Sequence, residues 1–366
     1  MKSNKHTKTV AVAMSGGVDS SVAAALLKKE GYNVIGLTMK HLGYEDVPGS
    51  GFGCCSIETI LNAKNIAEYI GFKHYIIDLK KEFRETVISD FVTEYLRGNT
   101  PNPCIQCNKI IKWDILLKKA VELGAEFITT GHYAKIKYNN STNRYNIAVG
   151  KDKEKDQSYA LWCISQEALS KTILPMGDYT KNEVRKIASE MKLPSADTPD
   201  SQEICFVPDD YYAGFLETLK PELKQKDMTG NIIYKGNIIG KHKGFYKYTI
   251  GQRRGLNVSA GKPLYVIMID ADNNIVYVDD EEGLYRKEFK VIDINLMTVE
   301  KLTNTIEVYI KIRYKDTGSP ALISQTGEKE ITAEFLNPKK SVTPGQSAVF
   351  YIGEDVLGGG IITVNK

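Results

Sequence analysis

A short β-branched run, Thr9 to Met14, is separated from an alanine-rich helical stretch, Val18 to Glu30, by the turn Ser15-Gly16-Gly17-Val18-Asp19-Ser20. A strand that passes into a helix through two glycines leaves few folds open. The glycines have no Cβ to block close approach, and the free N–H groups and positive dipole end of the following helix favour a bound phosphate. Ser15, Ser20 and Ser21 add hydroxyl donors. The Walker pattern G-x-x-x-x-G-K-[ST] is absent, because no lysine follows the glycines; Asp19 stands there instead, a carboxylate expected at the surface and suited to a Mg²⁺-bound pyrophosphate.

Downstream, short β-rich runs alternate with helical segments. Strands are expected at Val34 to Met39, His74 to Leu79 and Phe127 to Gly131, and helices after Ser56 to near Gly71, at Glu82 to Arg97 and at Ile105 to Leu123. Such alternation implies α/β architecture, a doubly wound parallel sheet whose ligands bind beyond the carboxyl ends of its strands. The glycine turn, Met39 and the Thr130-Gly131-His132-Tyr133 stretch then share one rim. Thr180 and Glu183 read as a capping box opening a helix to Met191. Beyond about Phe206 helices largely give way to a β-rich module, and from about Lys287 the chain reads as short strands that suit a small barrel. The expected division is 1–206, 207–285 and 286–366.

A chain of 366 residues with 42% apolar content supports two or three cores. No stretch reaches the apolar length that spans a bilayer, and the amino terminus lacks a signal-peptide core, so a cytoplasmic protein with no membrane partner is expected. Six cysteines are too few for a disulfide scaffold of this size. Cys163, inside the apolar YALWCI, reads as a small buried hydrophobe. Cys54 and Cys55 read as core or helix-entry residues. Cys104 and Cys107 differ: Pro101 and Pro103 delay the helix so that this C-x-x-C pair sits at its entrance, with Lys109 beside it, where thiol pKa values fall. A third thiol, Cys205, lies about a hundred residues on. The net charge of +3 is too small to prove a polyanionic partner. Locally, Lys235, Lys241, Lys243, Lys247, Arg253 and Arg254 form an acid-free stripe interleaved with Tyr234, Phe245, Tyr246 and Tyr248, which suits phosphate contacts and equally suits a solvated lysine face.

The string SGGVDS resembles the pyrophosphate loop of the ATP-pyrophosphatase superfamily, whose members split ATP between its α and β phosphates. Together and in order, TPNPCIQCNKIIKW, TGHYA, KDQSYAL, DSQEICFVP, YTIGQRRGL and PGQSAVFYIGEDVLGGGII resemble the tRNA-specific 2-thiouridylases over nearly the whole chain. That resemblance implies ATP-dependent adenylation of uracil O2 at the wobble uridine of tRNAs for Lys, Glu and Gln, then replacement of the oxygen by sulfur. It implies that Ala13, Met14, Ser15, Gly16, Gly17, Val18, Asp19, Ser20 and Met39 hold ATP with Mg²⁺, and that Gly131 contacts the adenosine. Cys107 matches the catalytic thiol and Cys205 the second one. Asn102, Pro103 and Cys104 match the loop beside the target base. His132, Lys155, Asp156, Gln157, Arg313, Tyr314 and Gln346 match positions associated with tRNA.

Many members of that family carry aspartate where this chain has Cys104. With cysteine there, Cys104, Cys107 and Cys205 supply three thiolates and no fourth, a set that suits a [4Fe-4S] cluster with one open iron better than a structural zinc site. The cluster is therefore the first expectation, and a Cys205 persulfide relay with Cys107 the alternative. The sulfur would come from a cysteine desulfurase, a sulfur-relay protein or inorganic sulfide. An argininosuccinate- or GMP-synthetase-like ligase shares the loop but gives no reason for the thiols, and a nucleotide-binding regulator without catalysis is weaker still.

Overall fold

A computed structural model describes residues 7–43, 57–199, 204–207 and 211–364. Cys54 and Cys55, and part of the run before Cys205, lie outside the described residues.

The first unit contains, in chain order, β1 (Thr9–Ala13), α1 (Val18–Lys29), β2 (Asn33–Lys40), α2 (Ile57–Ile70), β3 (Lys73–Asp78), β4 (Phe127–Thr129), β5 (Ala134–Asn139), β6 (Arg144–Val149) and β7 (Thr172–Ile173). Five of these strands form a parallel sheet in the order β3-β2-β1-β4-β7. Alternation along β1 sorts the layers: Val10 and Val12 pack with Ala24 and Leu27 of α1 and Ile66 of α2, whereas Ala11 faces the opposite core with Trp113 and Leu116. Helices therefore cover both faces, and the strand order turns back at β1, where the glycine turn emerges. The capping box is present, Thr180 Oγ1 accepting from Glu183 N–H and the Glu183 carboxylate accepting from Thr180 N–H.

Between β3 and β4 the chain forms two composite helices. Lys80–Phe83 continues through a wider π-type stretch, Arg84–Ile88, into Ser89–Leu96. Pro103–Gln106 likewise continues through Cys107–Leu116 into Leu117–Glu122. Phe91, Tyr95 and Ile111 from these helices share an apolar cluster with Phe215, Leu216, Ile232, Val266 and Val276 of the next module. That module opens with helices Tyr212–Leu219 and Glu222–Gln225, which the β-rich reading of this segment missed; Phe215 and Leu216 are buried on the first of them. It then forms β8 (Thr229–Tyr234), β9 (Asn237–Lys243), β10 (Tyr265–Asp270) and β11 (Ile275–Asp279), a sheet in the order β10-β11-β8-β9.

The last module holds β12 (Tyr285–Leu296), β13 (Ile306–Lys311), β14 (Ser319–Gly327), β15 (Glu330–Lys340), β16 (Ser347–Ile352) and β17 (Asp355–Thr363). The order β12-β15-β14-β13-β16-β17, with β17 pairing back onto β12, closes a six-stranded barrel around Phe289, Ile310, Phe335 and Phe350. The hairpin β5–β6 of the first unit joins this sheet through Ala148 opposite Asp355. Tyr159, Leu161 and Trp162 share one core with Met297, Val349 and Val356 of the barrel. Trp162 Nε1 donates to Ser347 Oγ at 3.0 Å and Tyr159 OH to the Ser347 carbonyl at 2.9 Å. The barrel is thus seated on the first unit by buried bonds, not tethered to it.

Candidate active site

The glycine turn has the form expected of an anion cradle. Gly17 is the N-cap of α1 and no side chain caps its free N–H groups. Gly16 has φ +73°, the left-handed region that favours glycine, and a Cβ there would lie 2.7 Å from the Thr59 carbonyl oxygen. Ser21 Oγ donates to the Gly17 carbonyl at 2.7 Å, tying the turn to its helix. Thr38 Oγ1 on β2 donates to the Met14 carbonyl at 3.0 Å and also meets His74 Nε2 at 2.7 Å, so the mouth of β1 is fixed from the neighbouring strands. Gly131, at the exit of β4, abuts the turn: a Cβ on it would stand 2.8 Å from Asp19 Cβ and 2.9 Å from Ser20 N.

Asp19 is half-buried, its side chain 31% exposed, and it is paired where the sequence suggests an open surface carboxylate. Its two oxygens accept from Lys181 Nζ at 2.7 and 2.8 Å, and one accepts from Tyr133 OH at 2.6 Å. The Lys181 side chain is only 10% exposed, so Asp19 compensates an ammonium largely removed from water. Lys181 is in turn anchored through its backbone N–H, which donates to Asp152 Oδ2 at 2.8 Å. The sequence places Lys181 beside the capping box but says nothing of its partner 162 residues away.

Two of the thiols come from the helix that begins at Pro103 and the third from the segment at Cys205. Asn102 caps the helix that begins at Pro103, its Oδ1 accepting from Cys104 N–H at 3.2 Å. Cys104 is exposed one turn before the half-buried Cys107, which opens the π-type stretch. Cys107 and Cys205 both pack against the same aromatic-rich cluster, and Cys205 Sγ lies 3.6 Å from Nε2 of His41. His41 is buried against the Phe83 ring, centroids 4.6 Å apart, and follows Met39 by two residues at the end of β2. It was not singled out by sequence, where it is one histidine beyond the expected strand. Cys163 behaves as a buried hydrophobe: its thiol donates to the Ile105 carbonyl, and burial pushes its pKa up to about 12.

The expectation of a cluster needs Cys104, Cys107 and Cys205 to converge. Among the described residues no three His, Cys, Asp or Glu side chains are grouped so as to hold a metal ion, so the donor set as arranged does not fit a [4Fe-4S] centre.

Comparison with known proteins accounts for the whole length. A family model described as the tRNA methyl transferase HUP domain matches residues 8–209, one described as the tRNA methyl transferase PRC-barrel domain matches 217–280, and one described as the aminomethyltransferase beta-barrel domain matches 286–362. The tRNA-specific 2-thiouridylase MnmA of Clostridioides difficile is 47% identical over 97% of this chain and 98% of its own length. The protein of the same name from Natranaerobius thermophilus is 47% identical over 96% of each chain, and that from Salinibacter ruber 46% identical over 96% and 94%. The chain belongs to the tRNA-specific 2-thiouridylases.

The positions that the sequence resemblance matches to tRNA contact fall into two groups. Arg313 and Tyr314 are exposed on the barrel, and the Tyr314 ring lies 6.5 Å from that of Tyr159. Partial desolvation of its hydroxyl raises the Tyr314 pKa first, and the nearby Asp156 and Asp152 raise it further, which puts the barrel turn beside the loop 152–159. Asp156 itself is buried, accepting from Gly150 N–H at 3.0 Å and Ser158 Oγ at 2.7 Å. Gln157 Oε1 accepts from Tyr133 N–H at 3.0 Å, and the half-buried Lys155 donates its N–H to Asp152 at 3.2 Å. Asp156 and Gln157 thus shape the loop. His132 meets Thr130 Oγ1 at 2.6 Å and tilts against Trp113 with ring centroids 5.4 Å apart; desolvation and then Lys112 hold its pKa well below the usual histidine value.

The basic stripe divides similarly. Phe245, Tyr246 and Tyr248 are buried in the core of the central module, so they offer no stacking platform. Lys247 pairs with Glu217 at 2.6 Å and Lys235 with Asp280 at 3.8 Å, whereas Lys241, Lys243, Arg253 and Arg254 are exposed.

Among the described residues no helix is long and apolar enough to cross a membrane.

Proposed function

We propose that this chain is a tRNA-uridine 2-sulfurtransferase that acts in the cytoplasm on the wobble uridine of tRNAs for Lys, Glu and Gln. The observation that carries the reading is the juxtaposition on β2. Its carboxyl end contributes Met39, next to the glycine turn on the same rim, and two residues later His41, in contact with Cys205. A uracil activated at that rim lies toward the thiols.

The chemistry follows in balanced steps. Uracil O2 attacks the α-phosphorus of ATP as N3 gives up its proton, the bond to the β-phosphate breaks and pyrophosphate leaves, its charge met by the N–H groups of the turn; Asp19, the carboxylate in the turn, would hold a Mg²⁺ that neutralises the phosphates, in exchange for part of its pairing with Lys181. The terminal sulfur of a Cys205 persulfide then attacks C2, and the C2–O bond breaks with AMP as leaving group. The Cys107 thiolate attacks the Cys205 sulfur, the S–S bond cleaves toward C2, N3 takes back a proton, and the products are the thiocarbonyl and a Cys107–Cys205 disulfide. An external dithiol supplies the two electrons that restore both thiols, and a persulfide-bearing donor such as a cysteine desulfurase or relay protein recharges Cys205. Only Cys107 and Cys205 need approach each other in this account, which is why we prefer it to the three-thiolate cluster.

The test is RNA-dependent pyrophosphate release, followed by single-turnover thiolation with strictly iron-free protein and a persulfide donor. Release that depends on tRNA, with thiolation at full rate, supports the reading. Thiolation that requires reconstituted iron moves the sulfur to a cluster. Release driven by a small acceptor such as citrulline overturns the substrate assignment.

A further inference from the structure

Gln346 stands on the barrel, in the turn that leads into β16, yet its side chain reaches the segment that carries Cys104. Nε2 donates to the Thr100 carbonyl at 2.8 Å and lies 3.4 Å from that of Pro101. In return the Thr100 N–H donates to the Pro344 carbonyl at 2.9 Å. Gly345 between them has φ +87°, and a Cβ on it would stand 2.9 Å from Thr100 N and 3.0 Å from Asn99 Cβ. The barrel backbone is therefore pressed directly against the loop.

The turn is rigid on its own side, since Gly345 N–H donates to the Ile362 carbonyl at 3.0 Å and Ile362 N–H to the Gln346 carbonyl at 2.8 Å. Local bonds hold the loop at its two ends: Asn99 donates to Glu94 through its N–H at 2.9 Å and its side-chain amide at 2.7 Å, and Asn102 accepts from the Cys104 and Ile105 N–H groups. Between these ends Thr100 and Pro101 are bonded to the barrel, and Pro101 and Pro103 have no N–H to give. A cavity of about 490 Å³ beside the contact, bordered by Thr100, Gly251, Arg313, Ser341 and Gln346, leaves room for the loop to move once released.

We propose that Gln346 is a positioning residue: it fixes Thr100 and Pro101 from the barrel, and so sets where Asn102, Cys104 and Cys107 stand relative to the activated base. The proposal rests on the 2-thiolation reading above. It gives this side chain a task other than the RNA contact that the family resemblance assigns it.

The experiment compares the full-length wild type with Gln346→Met, close in length but without the donor, and Gln346→Glu, which sets an acceptor against two carbonyls. tRNA affinity is measured by equilibrium titration, and thiolation by single turnover at saturating tRNA and ATP. Since a displacement of about 1 Å at reacting groups costs on the order of 100-fold, the saturating rate should fall by about that factor in both variants while Kd changes little. Hydrogen exchange over residues 99–104 should accelerate in both, a readout that does not depend on activity. A Kd that rises at least tenfold with an unchanged saturating rate makes Gln346 an RNA contact and overturns the proposal, as does unchanged exchange with unchanged rate. Wild-type protein that fails to thiolate tRNA defeats the functional reading instead, and exchange alone then decides the clamp. If either variant unfolds, the other carries the test.

Discussion

The turn Ser15–Ser20 is held by neighbours on its own rim, whereas the segment Asn99–Cys104 is held by a barrel that begins almost two hundred residues later. Around the turn, Thr38, Gly131, Tyr133 and Lys181 all belong to the first unit, and β1 with its sheet partners orients them. Around the thiols, Gln346 and Pro344 come from the last module, while His41 comes from the end of β2. The nucleotide end is preorganised by one sheet. The sulfur end is assembled where three modules meet, so its geometry depends on how they are seated.

The contrast breaks most sharply at Asp19. Asp19→Ala should abolish tRNA-dependent pyrophosphate release and also cost about 1–2 kcal/mol of stability, because the Lys181 ammonium loses its carboxylate partner while the Tyr133 ring, 5.8 Å away, remains beside it. Adding Lys181→Met should recover most of that stability in denaturant titrations and none of the activity. A single mutant as stable as wild type would mean that the pair does not hold the turn.

A smaller effect is expected at the contact between β4 and the turn. Gly131→Ala inserts a methyl group against Asp19 and Ser20, displacing the cradle while leaving the thiols in place. KM for ATP should rise by about tenfold, roughly 1.4 kcal/mol, with sulfur transfer to pre-adenylated RNA unchanged. Equal loss in both half-reactions would show that the two ends are more tightly coupled than their supports suggest.

Charge tests the outer surface. Replacing Lys241, Lys243, Arg253 and Arg254 by alanine should weaken tRNA binding and lower the slope of log affinity against log salt by about 0.7–0.9 for each phosphate that the protein no longer neutralises. Lys247→Ala should change the slope little, since its ammonium is committed to Glu217. Equal slopes for the two proteins would show that the exposed four face solvent.

The smallest effect concerns His132, which belongs to both ends, following Gly131 and leaning on Trp113 of the helix that carries Cys107. Its folded-state pKa lies below its unfolded value of about 6.5, so the unfolded chain binds the proton more readily. Its contribution to stability is fully present above about pH 6.5 and is lost as pH falls toward the folded-state pKa. Urea unfolding of wild type and His132→Asn between pH 7.5 and 5 should show a drop in the former that is reduced in the latter.

What could be read in the sequence follows the same line. The strand, turn and helix around Gly16 and Gly17 are local, so their periodicity and turn chemistry were sufficient, and so were the capping box at Thr180 and the buried Cys163. The helix entrance at Pro103 was equally local. Partners of Asp19, Cys205 and Thr100 come from 162, 164 and 246 residues away, and no pattern within a window of a few turns carries that information. Phe245, Tyr246 and Tyr248 of the basic stripe misled for a related reason. Interleaving with lysine in sequence says nothing about which side of a strand or turn faces the core.

The hairpin β5–β6 has a consequence for synthesis. Asn146 and its partner Asp355 are 209 residues apart, and Ala148 meets Asp355 across the sheet. At about 5–20 residues per second a ribosome needs roughly 10–40 s to make the intervening chain. For that time β6 is an open edge, and the apolar surface of Tyr159, Leu161 and Trp162 waits uncovered for the barrel. The nascent first unit is therefore most vulnerable to edge pairing and chaperone capture just before its last module emerges, and a chain stopped at residue 285 should accumulate in aggregates while the full-length chain stays in solution.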